Sequence, residues 1–348
     1  MAGRTPPARD PNSGTPLPHG GGQRRRRPGR QGLPGRTGIG YRRRAPRSPH
    51  RSPCPLPDAT VDSEKVCAMS PLSPDGPLVT TDWLAERLHH PDLVVLDAGV
   101  GQYRSTAPLI PGARAFDIDG ELSDPSSPLP HTMPGPEAFT RALRGLGVHD
   151  RSTVVVYDNA GIYSSARAWW MLRAMGFDRA AVLDGGLPAW SAAGLPCASA
   201  PQSAAPAGTF TAKPRAGLLV DRTAVVGALA DPTTAVLDAR SRERYAGTVE
   251  EPRPGLRRGH IPGSANLPFV DLQTGGRMRP AGELRTLLAA AAAGRERLVL
   301  SCGSGVTACV LALGADLAGY RDVAVYDGSW SEWGLPSGLP AELGPAGR

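Results

Sequence analysis

Between residues 93 and 336 the chain repeats itself. Val95-Leu96-Asp97 returns as Val236-Leu237-Asp238, and Ile110-Pro111-Gly112 returns as Ile261-Pro262-Gly263. Val182-Leu183-Asp184-Gly185 with Trp190 returns as Val325-Tyr326-Asp327-Gly328 with Trp333, and Gly194-Leu195-Pro196 as Gly334-Leu335-Pro336. The offsets are 141 at the first Asp, 151 at the Ile-Pro-Gly turn and 143 at the Asp-Gly pair. Self-similarity at this period means two copies of one domain, joined by the Ala/Pro-rich stretch Ala198–Ala216.

Each copy reads as α/β. Thr80–Leu88 is an expected helix with Trp83, Leu84 and Leu88 on one face, and Leu93–Leu96 a buried strand ending at Asp97. Ala113–Phe116 follows the Ile-Pro-Gly turn. Pro136–Leu146 reads as a helix, Val154–Tyr157 as a strand ending at Asp158, and Ser164–Met175 as a helix. Ala181–Leu183 is a strand, and Asp184-Gly185-Gly186 leads into a short helix around Trp190. Strands alternating with helices imply a mainly parallel sheet covered on both faces.

The copies differ at two places. Between its first Asp and its Ile-Pro-Gly turn the second copy carries ten extra residues, and that segment, Ala239–His260, holds six arginines. An insertion that the core does not need is free to serve function. The second difference is Leu298–Leu311, reading LVLSCGSGVTACVL: an apolar strand, a six-residue loop opening on Cys302, then an apolar helical run from Ala308. This layout points backbone N–H groups and a helix N-terminus at one sulfur and favours the thiolate, the reactive form. The first copy has Asp158 at the matching position, so only the second can hold a sulfur nucleophile.

Charge narrows the partners. The formal net charge is +7, yet residues 1–68 hold 14 Lys+Arg against 4 Asp+Glu, leaving a net of −3 for the rest. The basic character belongs to the tail, and the domains give no case for nucleic acid. Residues 1–70, rich in Pro, Gly, Arg and Ser, are expected to be disordered. Five cysteines (Cys54, Cys67, Cys197, Cys302, Cys309) without a CxxC pair fit a reducing cytoplasm rather than a disulfide framework or a zinc site. No apolar run approaches the ~18–20 residues of a membrane span, and the Arg24–Arg27 cluster is followed by no apolar signal segment. The expectation is a cytoplasmic protein with no membrane partner.

CGSGVT at Cys302–Thr307, GHIPGSANLPF at Gly259–Phe269, YDGSWSEW at Tyr326–Trp333 and ARAWWMLRAMGF at Ala166–Phe177 together resemble the tandem-domain rhodanese family of sulfurtransferases, over roughly Leu78–Pro340. The loop is similar to the 3-mercaptopyruvate sulfurtransferase version; thiosulfate-specific relatives typically carry basic residues where Gly303 and Ser304 stand. The resemblance implies two rhodanese-like domains, a non-catalytic one over residues 76–197 and a catalytic one over 217–342. A basic tail over 1–75 and a linker over 198–216 complete the chain. It implies transfer of sulfur through a persulfide on Cys302, with no metal or organic cofactor. The partners are a small-molecule sulfur donor and a thiol acceptor, such as a thioredoxin-like protein, or cyanide.

By the same resemblance Arg244 and Arg253 bind the substrate carboxylate and keto oxygen, which suits planar guanidinium groups. The backbone amides of Gly303, Ser304, Gly305, Val306 and Thr307 hold the persulfide anion. Ser304 donates to substrate or relays a proton, Thr307 caps the following helix, and Cys309 is a small buried residue. His260 has a structural role, and Arg240, Arg242, Arg257 and Arg258 are structural or surface residues. The family's relay histidine precedes the first Ile-Pro-Gly turn, where this chain has Leu109, and no relay Asp matches; Asp117 and Asp119 lie nearby without grounds for choosing. The serine relay is therefore expected to be incomplete. Thiosulfate transfer and a sulfur-carrier module remain as alternatives. Phosphatase chemistry is set aside because its loops need an Arg six positions after the Cys, where Ala308 stands.

Overall fold

The structure, a computed structural model, describes residues 72–104, 108–202 and 206–345; the expectations for the tail before residue 72 lie outside the described residues. The first half runs β1 (Leu78–Val79), α1 (Thr81–Arg87), β2 (Leu93–Asp97), β3 (Arg114–Ala115), α2 (Pro136–Gly145), β4 (Thr153–Tyr157), α3 (Ser165–Ala174), β5 (Ala180–Leu183) and α4 (Gly186–Ala192). The second runs β6 (Leu219–Val220), α5 (Arg222–Ala230), β7 (Thr234–Asp238), α6 (Arg242–Ala246) and β8 (Ala265–Asn266). It continues through the hairpin β9 (Gln273–Thr274) and β10 (Arg277–Met278) to α7 (Ala281–Ala291), β11 (Arg297–Ser301), α8 (Ala308–Leu317), β12 (Asp322–Tyr326) and α9 (Ser329–Trp333).

The repeat in the sequence is a repeat in topology. The sheets have strand orders β1-β5-β4-β2-β3 and β6-β12-β11-β7-β8, identical once the halves are overlaid. Every pairing within them is parallel. The central strands β4 and β11 are buried runs of Val and Leu, as a sheet covered on both faces requires. In such sheets ligands bind beyond the carboxyl ends of the strands. Asp158 and Cys302 both stand there, one residue past the end of their strands.

The halves share a core. In α3 only Arg173 escapes burial, and α8 is buried from Ala308 to Ala315; these two helices pack on each other between the sheets. A helix apolar on every side needs neighbours on every side, and one apolar cluster accordingly runs from Val94 and Trp170 through Leu298 and Leu311. The described residues between Ala198 and Ala216 lie along the first half. Ala198 bridges to Leu109, Phe210 is buried with its N–H on Val148 O (3.1 Å), and Lys213 donates to Met175 O at 2.8 Å.

Candidate active site

Cys302 is 1% exposed, at the floor of the loop between β11 and α8. The loop is shaped from beneath by the start of α9. Ser329 Oγ accepts from the N–H of Cys302 (3.1 Å) and of Gly305 (3.0 Å), and donates to Tyr326 O at 2.8 Å. Trp330 N donates to Cys302 O and Ser331 N to Gly303 O, at 3.0 and 2.8 Å. The two glycines have separate reasons. Gly305 sits at φ +75° with Asp327 O 2.8 Å from where a Cβ would stand, and a Cβ on Gly303 would lie 2.9 Å from Arg244 Nη2.

Two expectations are corrected by this geometry. The Gly305 amide is turned down onto Ser329 and does not face the sulfur side. Thr307 occupies the N-cap position of α8, but its αR backbone leaves the hydroxyl without a capping bond. The amides of Gly303, Ser304, Val306 and Thr307 have no acceptor among the described residues.

The first half holds a natural control. Asp158, fully buried, fills the matching cradle with its own carboxylate: Oδ1 accepts from Ala160 N at 2.9 Å, and Oδ2 from Tyr163 N and Ser165 N at 2.8 Å. At the 144-residue offset of Asp158 from Cys302, Ala160 and Tyr163 correspond to Ser304 and Thr307, whose amides are free. The same loop thus seats a hydrogen-bonded carboxylate in one half and a sulfur in the other.

Beside Cys302 the structure shows a hydrogen-bonded chain of the composition expected of the relay, with its histidine and acid at other positions than Leu109 would suggest. Ser304 Oγ lies 2.9 Å from His131 Nδ1, and His131 Nε2 lies 3.0 Å from Asp119 Oδ1. The carboxylate fixes the tautomer: Nε2–H donates to Asp119 and Nδ1 accepts the Ser304 hydroxyl. Burial holds the His131 pKa below its usual value, with Arg253 and Arg167 acting in the same sense and Asp119 against them. Burial alone would raise Asp119; the Gly101 N–H, His131 and Arg104 outweigh it and hold the carboxyl below its usual range. Leu109, at the position where the histidine was expected, is 3% exposed and pairs with Ala198 instead. His131 precedes α2 and not the Ile-Pro-Gly turn, so the motif around Leu109 does not mark its position. A sequence signal existed: Met133 and Met278 each stand three residues before a helix, and at that 145-residue offset His131 falls opposite Gly276.

The inserted segment supplies the cations. Arg244 Nη2 is held by Glu251 Oε2 at 2.5 Å and reaches the edge of the loop at Gly303. Glu251, 2% exposed at its side chain, also takes Arg240 Nη1 at 2.9 Å; Arg240 in turn is buried on Asp238 (2.7 Å) and over Trp330. Arg253 has no hydrogen-bond or ion-pair partner among the described residues, yet its charge acts on both His131 and Tyr163. A half-buried arginine without a carboxylate of its own suits an anionic ligand. Tyr163, packed between Tyr103 (5.3 Å) and Phe269 (5.5 Å), has its phenol pKa raised by burial and by Cys302.

The remaining residues fall as expected. Burial pushes the Cys309 thiol up to about 12, and Sγ donates to Gly305 O at 3.2 Å. His260 stacks on Tyr245 at 3.8 Å with Nδ1 on Tyr245 O, a structural place. Arg257 braces the carbonyls of Trp333, Gly334 and Leu339, while Arg242 and Arg258 pair at the surface with Asp271 and Glu250.

Two parallel α/β halves, a cysteine loop in one and a carboxylate-filled copy in the other, define a tandem domain built for chemistry at a single sulfur. Residues 80–193 and 222–335 each match the rhodanese-like domain, and the chain belongs to the rhodanese family. It is 39% identical over 274 residues to the 3-mercaptopyruvate sulfurtransferase of Escherichia coli (strain K12), covering 76% of this chain and 97% of that one. It is 41% identical over 272 residues to the Homo sapiens 3-mercaptopyruvate sulfurtransferase, covering 74% and 91%. With the thiosulfate/3-mercaptopyruvate sulfurtransferase 1, mitochondrial, of Arabidopsis thaliana it shares 38% over 315 residues, covering 81% and 82%. The crystal structure of the E. coli 3-mercaptopyruvate sulfurtransferase SseA superposes with a TM-score of 0.65 at 37% identity, covering 74% of this chain and all of that one.

Proposed function

We propose that this protein is a sulfurtransferase that takes sulfur from 3-mercaptopyruvate through a persulfide on Cys302 and releases pyruvate. The observation that carries this reading is the hydrogen-bonded chain Ser304–His131–Asp119 beside Cys302. The Cys302 thiolate attacks the substrate sulfur, forming the S–S bond while the carbon–sulfur bond breaks and its electron pair leaves as the enolate of pyruvate. The substrate thiol proton passes to Ser304 as Ser304 gives its own to His131, and Asp119 stabilises the imidazolium. The proton then returns through Ser304 to the enolate carbon. One proton moves from sulfur to carbon, and the products are the Cys302 persulfide anion and pyruvate. Arg253 and Arg244 take the carboxylate and keto oxygen, and the free amides of Gly303, Ser304, Val306 and Thr307 receive the charge of the persulfide.

In this reading residues 76–197 are the supporting domain, 198–216 the connection and 217–342 the catalytic domain, with the first domain lending His131 and Asp119 to the second. The outer sulfur goes to a thiol, such as that of a thioredoxin-like protein, or to cyanide. Among the described residues no helix is long and apolar enough to cross a membrane; a reducing compartment such as the cytoplasm keeps Cys302 a thiol.

Thiosulfate is the second donor to consider, because one Arabidopsis relative carries both donors in its name. It leaves as sulfite and needs no proton on carbon. The test is to compare the two donors in wild type and His131→Ala. The reading expects a loss of about 10²-fold or more with mercaptopyruvate and a far smaller one with thiosulfate; equal losses would refute it.

A further inference from the structure

His131 pays a conformational cost to stand where it does. Its φ is +61°, one of three positive values at non-glycine residues among those described, a backbone state that persists only when its surroundings over-determine it. The residues around it show what does so. Arg167, on α3 and fully buried, donates from Nη2 to His131 O at 2.8 Å and to Asp327 Oδ1 at 2.6 Å. The other oxygen of Asp327 accepts the N–H of Met133 at 2.8 Å. Guanidinium and carboxylate, one from each domain, thus take hold of the turn on both sides of the histidine.

The duplicated half supplies the comparison. There Asp184 accepts from Met278 N at 3.0 Å, as Asp327 does from Met133. The residue opposite His131 is Gly276, at φ +78°, which needs no restraint. The helix position opposite Arg167, 144 residues on, is the apolar Leu311, and Asp184 is paired instead with the exposed Arg277 of the turn itself at 3.5 Å. The buried arginine therefore occurs in the half whose turn carries a side chain into the cysteine loop. Burying it is costly in its own right, since Arg167 Nε and Nη1 have no hydrogen-bond partner among the described residues. Gly305 is part of the same arrangement: a Cβ there would lie 3.3 Å from Arg167 Nη1.

We propose that Arg167, through its ion pair with Asp327, is the positioning residue of the relay, holding residues 131–133 in the left-handed turn that sets the His131 ring on Ser304. The pair spans the two domains, so the relay is assembled only when they are docked. This inference rests on the role given to the relay above, and it touches neither Cys302 nor the substrate arginines.

The test uses the full chain carrying Arg167→Met, Asp327→Asn, His131→Ala and the double variant Arg167→Met/His131→Ala. It combines steady-state kinetics with mercaptopyruvate and ¹⁵N resonances of the imidazoles. His131 is faced by Asp119, Ser304, Arg253 and Arg167. The expected result for Arg167→Met is a fall in kcat of about tenfold or more with KM within about twofold, most of what a relay supplies. The acid limb of the pH profile should be lost, and the double variant should be no slower than His131→Ala alone. The His131 ring should also lose its single Nε2–H tautomer signature. A folded Arg167→Met with wild-type kcat, acid limb and ring signals would overturn the proposal, as would losses that multiply in the double variant. Should Arg167→Met fail to fold, Asp327→Asn is read by the same criteria. A wild type without mercaptopyruvate turnover would instead defeat the functional reading, while the ring signals would still report on the clamp.

Discussion

At the scale of single residues the proposed site divides into a nucleophile, two arginines and a relay. Each part is separable by experiment. His131 must be neutral to accept the Ser304 proton, and burial with Arg253 and Arg167 holds its pKa below the usual 6.5. The acid midpoint of mercaptopyruvate turnover should therefore lie below pH 6.5, as protonation of the ring removes the acceptor; a rate already halved at pH 7 would contradict this. In the proposed mechanism Arg253→Ala deletes a charge-assisted bond to the substrate carboxylate, about 1.5–3 kcal/mol or roughly 10–100-fold in kcat/KM. It should weaken mercaptopyruvate more than thiosulfate when both are measured. Cys302 and the arginine-rich insertion stand out in the sequence because the other copy lacks them, while Arg244 and Arg253 are singled out within the insertion only by the resemblance to the family. His131 and Asp119 do not stand out, because the relay is built from the other domain, and nothing local to PHTMP or FDID points to a serine some 170 residues away. Glu251, which holds Arg240 and Arg244 together, was hidden among the charges of the same insertion.

At the scale of elements the cysteine loop is held by α9 as much as by its own sequence. Ser329 Oγ satisfies two buried amides, those of Cys302 and Gly305. Ser329→Ala leaves both without an acceptor, at about 1–3 kcal/mol each. It should lower the urea midpoint and slow pyruvate release together; an unchanged midpoint would mean that the loop does not depend on this hydroxyl. The first-half elements from α1 to β5 were legible to within a residue or two, since β2 and β4 are apolar runs ending at turn residues. The two-residue strands β1 and β6 and the hairpin β9–β10 are too short to leave a periodic signal. The reach of the turn before α2 into the other half was not legible, because a register of elements does not say which loops cross.

At the scale of the whole molecule the duplication explains the division of labour. Each half offers the other a turn that docks on its Asp-Gly motif, Met133 on Asp327 and Met278 on Asp184. One exchange delivers His131 to a cysteine; the other delivers Gly276 to Gly161, where the Asp158 cradle is already filled. With α3 and α8 in one apolar cluster spanning both sheets, the halves should unfold together. Calorimetry should record one cooperative transition over residues 72–345, and two resolved transitions would show that the domains are energetically independent.

The central claim is that sulfur leaves mercaptopyruvate for Cys302. It is tested most directly by mixing enzyme with mercaptopyruvate in the absence of acceptor and following both products in a single turnover. One pyruvate should be released per chain, with a mass gain of one sulfur atom located on the peptide bearing Cys302, and Cys302→Ser should give neither. Pyruvate released at the wild-type rate by Cys302→Ser, or sulfur found on the exposed Cys197 instead, would contradict the account.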